Sequence, residues 1–165
     1  MTRHTVLGAS GLIGARLTQL LKEKGEDVFP VGRDAQINYS DELGYVYYCI
    51  GVTADYRTRP YETVNAHVHV LQDLLEKARF KALLYLSSTR VYQGANDTTE
   101  TADLIANPTC AADIYNISKM MGESLCLIHE NPSVRVARIS NVISDYSVDS
   151  SLNFFDSILQ SVLTN

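Results

Sequence analysis

Two rhythms alternate along this chain. Compact apolar runs at residues 5–7, 27–31, 45–50, 82–87 and 134–139 have the length and continuity of strands buried in a parallel sheet. Between them, apolar side chains recur every three or four positions: Leu12, Ile13, Leu17, Leu20 and Leu21, then Val64, Val68, Leu71, Leu74 and Leu75. That spacing draws one apolar stripe along a helix, and it predicts helices over 12–24, 62–77 and 113–130. Gly25 and Asn131-Pro132 supply stop signals for the first and third. Residues 36–38 predict a stunted strand and 154–163 a short amphipathic helix. Strands alternating with helices give an α/β fold, a doubly wound parallel sheet of order 3-2-1-4-5-6, in which residues 36–38 are the outer third strand.

Ligands of such a sheet collect beyond the carboxyl ends of its strands. The first strand runs into Gly8-Ala9-Ser10-Gly11-Leu12-Ile13-Gly14. Gly8 and Gly11 let a pyrophosphate approach the main chain, and Gly14 lets the helix lie close on the sheet. The N–H groups from Ser10 through Leu12 and Ile13 then face the phosphates from the positive end of that helix. Three glycines so spaced arise by chance in roughly one chain in twenty of this length. Their position between a strand and a helix is what makes them a dinucleotide signature. The tip of the second strand meets the adenosine ribose and carries Gly32-Arg33 where an acid would serve NAD. Arg33 favours the 2′-phosphate of NADP, with NAD as the second choice and Asp34 as an alternative ribose partner. Gly51, Ser87-Ser88-Thr89 and Asn141 lie at the other strand ends.

Bulk properties narrow the class. The 165 residues, 45% hydrophobic, suit one domain. A net charge of −5 without a Lys/Arg run argues against nucleic acid and anionic membrane as partners. No apolar run approaches spanning length, and a strand starting this near Met1 leaves no room for a signal peptide, so the cytoplasm is the expected location. Cys49, Cys110 and Cys126 are far apart, which suggests neither a disulfide frame nor a metal site. His67 and His69, two apart on a predicted helix, read as surface or packing residues. Neither a serine-hydrolase elbow nor a Gly-Lys-Ser/Thr phosphate loop is present.

Tyr115 and Lys119, four apart, share a helix face. Taken in order, the glycine turn, Asn65, Ser88 three residues before Val91-Tyr92, the Tyr115/Lys119 pair and Asn141 resemble the extended short-chain dehydrogenase/reductase family. That family contains NAD(P)-dependent nucleotide-sugar epimerases, dehydratases and reductases. The resemblance implies a Rossmann-like NAD(P)-binding domain over 1–165, with the substrate domain absent from this chain, and a homodimer. It makes Tyr115 the catalytic acid/base, and Lys119 the holder of the nicotinamide ribose that also helps ionise Tyr115. Ser88 aligns the substrate oxygen, with Thr89 as the fallback and a substrate contact. Asn65 stands near the active site and Asn141 faces substrate. A phenol has an ordinary pKa near 10, so a base at neutral pH needs a shift of about 3 units, which nearby cations favour. The alternative reading is a sensor that binds a dinucleotide and does no chemistry.

Overall fold

The structure is a computed structural model that describes residues 2–33, 35–52 and 55–142. Five of the apolar runs form one parallel sheet: β1 (Arg3–Leu7), β2 (Asp27–Val31), β3 (Tyr45–Tyr48), β4 (Ala82–Ser88) and β5 (Val134–Ile139). Their order is β2-β1-β3-β4-β5, every neighbouring pair parallel. This is the expected doubly wound class with one correction: the outer third strand at residues 36–38 does not form. The cause is local. Asn38 accepts from the Ser40 N–H at 3.2 Å and its carbonyl accepts from the Asp41 N–H at 3.2 Å, so the segment folds into a turn that competes with strand pairing.

The helices are α1 (Leu12–Glu23), α2 (Pro60–Val64), α3 (Val70–Lys77) and α4 (Ile114–Leu127). The expected helix over 62–77 begins two residues early, with Pro60 in its first turn, and contains a π-helical turn at Asn65–His69. The expected helix over 154–163 lies outside the described residues.

Strand periodicity decides which side chains meet which helices. Val46, Tyr48, Leu83 and Tyr85 are buried in one cluster with Leu71 and Leu74 of α3 and Cys126 of α4. The alternating set, Tyr47, Leu84 and Leu86, lines an apolar groove with Leu12, Ile13 and Leu17 of α1. An ion pair ties α4 to the sheet. Glu123, 3% exposed, takes Arg138 of β5 on both oxygens, with Nη2 to Oε2 at 2.7 Å, and also accepts from the Ser87 hydroxyl of β4. Arg138 Nη1 continues to the Tyr92 hydroxyl at 2.8 Å. With that register held, Lys119 and Tyr115 fall one and two helical turns upstream, at the carboxyl edge of the sheet. Among the described residues no helix is long and apolar enough to cross a membrane, and no group of three His, Cys, Asp or Glu side chains could hold a metal ion.

Candidate active site

The glycine turn is built by close backbone approach. The Gly8 and Ala9 N–H groups both donate to the Val31 carbonyl, at 2.9 and 3.0 Å, which anchors the turn to the end of β2. Gly8 has φ +78°, and a Cβ there would come within 2.9 Å of the backbone of Cys49 and Ile50. A Cβ on Gly14 would overlap the Gly8 carbonyl oxygen, so this glycine is what lets α1 begin directly against β1. The Gly11 N–H closes the turn on the Gly8 carbonyl at 3.0 Å. Helix α1 starts with no side-chain cap and no acidic residue in its first turn, leaving its terminal N–H groups without a side-chain acceptor. Ser10 and Gly11 are exposed there, while the side chains of Leu12 and Ile13 turn into the apolar groove. Arg33 is exposed in the turn after β2.

Gly51, just beyond β3, joins this turn to the second cluster. A Cβ on it would lie 3.4 Å from His67 Nε2 and 3.8 Å from Lys119 Nζ. Ser88 ends β4, and its hydroxyl accepts from the Arg90 N–H at 3.2 Å, capping the 3₁₀ turn Thr89–Tyr92. Tyr115 and Lys119 are both buried, 6% and 4% exposed. Lys119 Nζ donates to the Leu86 carbonyl at 2.8 Å and lies 4.9 Å from the centre of the Tyr85 ring. Burial lowers its pKa to about 8, against the opposing pull of Glu123 and Cys49. Burial likewise raises the Tyr115 phenol above its ordinary range, with Tyr56 adding to the rise and the Ser88 hydroxyl and the Arg90 guanidinium opposing it. The Arg90 guanidinium carbon is 5.5 Å from the centre of the Tyr115 ring, and Lys119 donates to the Leu86 carbonyl. The structure brings together Gly51, Ser88, Tyr115 and Lys119. Asn65, Thr89 and Asn141 are exposed.

Three members of the site escape the pattern of the sequence: His67, Tyr56 and Arg90. His67 is fully buried and meets the Tyr115 ring edge-on, with centroids 5.2 Å apart at 88°. Its hydrogen bonds define one direction. The Val52 N–H can only donate, so Nε2 accepts it at 3.4 Å. Nδ1 then carries the proton and donates to the Ser118 hydroxyl at 2.8 Å, which donates to the Tyr115 carbonyl at 2.9 Å. The chain thus links the segment after Gly51 to the backbone of the phenol-bearing residue. Tyr56, 2% exposed, packs its ring 5.3 Å from that of Tyr115 and accepts from Arg90 Nη2 at 2.6 Å. The signals that point to them are the arginines near residue 57 and after Ser88, and a histidine on an otherwise apolar stripe.

Burial first, then Lys119, lowers the His67 pKa to about 2. The unfolded chain therefore takes up a proton below about pH 6.5 that the folded chain refuses until about pH 2, and stability is lost as pH falls through that window, at up to ~1.4 kcal/mol per pH unit. His67→Gln is expected to lose less stability than wild type between about pH 7 and pH 5, read from urea midpoints. Parallel pH slopes for the two proteins would refute this assignment.

Residues 4–163 match the NAD-dependent epimerase/dehydratase family. The chain belongs to that family. Solved structures share the fold of this family member. A dTDP-4-dehydrorhamnose reductase from Bacillus anthracis, in complex with NADP, has a TM-score of 0.74 and 18% identity, covering 99% of this chain and 61% of its own. A UDP-galactose 4-epimerase gives a TM-score of 0.70 at 19% identity, covering 99% and 63%. RMD from Pseudomonas aeruginosa, complexed with NADPH, gives 0.62 at 23%, covering 86% and 54%. This epimerase/dehydratase-family chain thus spans about three fifths of the length of the reductase and the epimerase. No curated protein sequence matches it.

Proposed function

We propose that this family member binds NAD(P) across its glycine turn and exchanges a hydride with an alcohol or ketone of a nucleotide sugar, Tyr115 handling the proton. The observation that carries this reading is the junction at Gly51: the backbone that supports the glycine turn leads directly to Lys119, His67 and the Ser88/Tyr115 pair on the same sheet edge. The residues fit the dinucleotide. The turn offers an uncapped helix terminus where a Cβ at Gly8 or Gly14 would collide with the main chain. Structural neighbours solved with NADP, with NADPH, or with UDP-glucose and NAD lend support.

When bound, the nicotinamide supplies hydride exchange; the chain supplies orientation and a proton. Ser88 hydrogen-bonds the substrate oxygen and aligns it. Burial keeps the Tyr115 phenol protonated, so it delivers a proton to a ketone oxygen as the carbonyl carbon is reduced. In the reverse direction the phenolate accepts that proton, and Arg90 favours the phenolate. Lys119, beneath Gly51, is positioned for ribose hydroxyls.

Calorimetric titration of the chain with NADP and with NAD, repeated on Arg33→Ala, tests the cofactor half of the reading. NADP is expected to weaken about tenfold in the variant and NAD by less than about twofold, because a charge-assisted contact to the 2′-phosphate is lost. Equal losses for both would remove Arg33 from the ribose site, and binding of neither would count against the glycine turn as a dinucleotide site.

A further inference from the structure

We propose that Arg90 binds an anionic oxygen group that the substrate carries near its reacting carbon, so that the site selects for acidic substrates. The proposal rests on the hydride-transfer reading above and adds to it the chemical class of the substrate.

Arg90 leaves the main chain two residues after Ser88, with its N–H tied to the Ser88 hydroxyl at 3.2 Å. Its guanidinium carbon lies 4.8 Å from the centre of the Tyr56 ring and 5.5 Å from that of Tyr115, and Nη2 donates to the Tyr56 hydroxyl. That contact uses one of five N–H donors, and Nε is buried without a partner. A second guanidinium, Arg57, sits 4.7 Å from the same Tyr56 ring centre. Two like charges therefore crowd one buried phenol beside the reacting oxygen.

The ion pairs of the described residues engage Arg59, Lys77, Arg138 and His4, and none reaches Arg57 or Arg90. Arg138 shows how this fold treats the other inward guanidinium: it receives a carboxylate on two prongs. A partly buried cation whose only side-chain hydrogen-bond acceptor among the described residues is a phenol is unfavourable, and an incoming anion relieves it. The planar fork suits a carboxylate or a phosphate. The substrate group with that chemistry that separates acidic from neutral sugars is a carboxylate on the sugar ring; the diphosphate that joins sugar to nucleoside is common to all nucleotide sugars and selects none.

The test is calorimetric titration of the NADP-loaded chain with UDP-glucuronate, UDP-glucose and UDP, on wild type, Arg90→Met and Arg90→Lys. With a ring carboxylate as the anion, wild type binds UDP-glucuronate about tenfold tighter than UDP-glucose, and Arg90→Met erases the difference. Equal weakening of all three ligands by Arg90→Met would put Arg90 at the diphosphate that every nucleotide sugar carries, and would overturn selection for an acidic sugar. Arg90→Lys keeps the charge and loses the fork, so its affinities fall between the other two, and it serves alone if Arg90→Met does not melt like wild type. Affinities unchanged by substitution overturn the proposal, as does a loaded wild type that binds none of the three. Failure to load NADP at all would instead overturn the parent reading.

Discussion

Tyr115→Phe is expected to lower hydride transfer by about 10²–10⁴-fold while leaving dinucleotide affinity within about twofold. The substitution removes one oxygen and keeps the ring that packs against His67 and Tyr56, at centroid distances of 5.2 and 5.3 Å, so the pocket wall survives. What disappears is the proton donor that completes carbonyl reduction. The His67 Nδ1 proton is engaged by Ser118, and one of the three Lys119 N–H groups is engaged by the Leu86 carbonyl. Single-turnover oxidation of bound NADPH, with cofactor affinity measured separately, reads both quantities. A dinucleotide sensor would give equal cofactor binding in both proteins and turnover in neither, so the same pair of assays separates the two functions.

The second large effect is expected at Gly14→Ala. The added methyl would overlap the Gly8 carbonyl oxygen and come within 2.8 Å of its carbon and 3.0 Å of Ala9 Cα, all main-chain atoms that cannot rotate away. Helix α1 must lift from β1, at a cost of about 1–3 kcal/mol by analogy with other overpacked sites. The displaced helix terminus also withdraws its N–H groups from the turn, so dinucleotide affinity should fall by more than about tenfold. Gly32→Ala is the control, because a Cβ there meets nothing within 4 Å. Denaturant midpoints and cofactor titrations should show Gly14→Ala impaired in both, while the denaturant midpoint of Gly32→Ala stays close to wild type. Equal behaviour of the two variants would contradict the close-approach argument.

Tyr115 and Gly14 are both legible in the amino-acid sequence, and the reason is that their signals are local. A strand, a glycine turn and a helix stripe each depend on side chains within a few positions, so the apolar runs and three-four spacings mark all five strands and the helices that flank them. The segment at 36–38 departs from expectation through a local signal of another kind: the Asn38 side chain and carbonyl close a turn that a strand-like reading of apolar content overlooks. His67 stands three residues after Val64 and four before Leu71, on the apolar stripe, and is buried there as a packing residue; its hydrogen bonds to Val52 and Ser118, 15 and 51 residues away, are what its spacing does not announce.

By itself, then, the sequence determined the α/β class with its alternating strands and helices, the glycine turn and the succession Ser88, Tyr115, Lys119, because backbone periodicity and missing side chains act over one or two turns. Only the tertiary structure decided which cation faces the phenol. Arg90 and Tyr56 are 34 residues apart and meet through packing of the segment after β3 against the end of β4, while Lys119 is drawn to a β4 carbonyl. Charge and hydrogen-bond partners at such separations depend on how buried surfaces close, and a buried polar atom takes the partner that the packing offers.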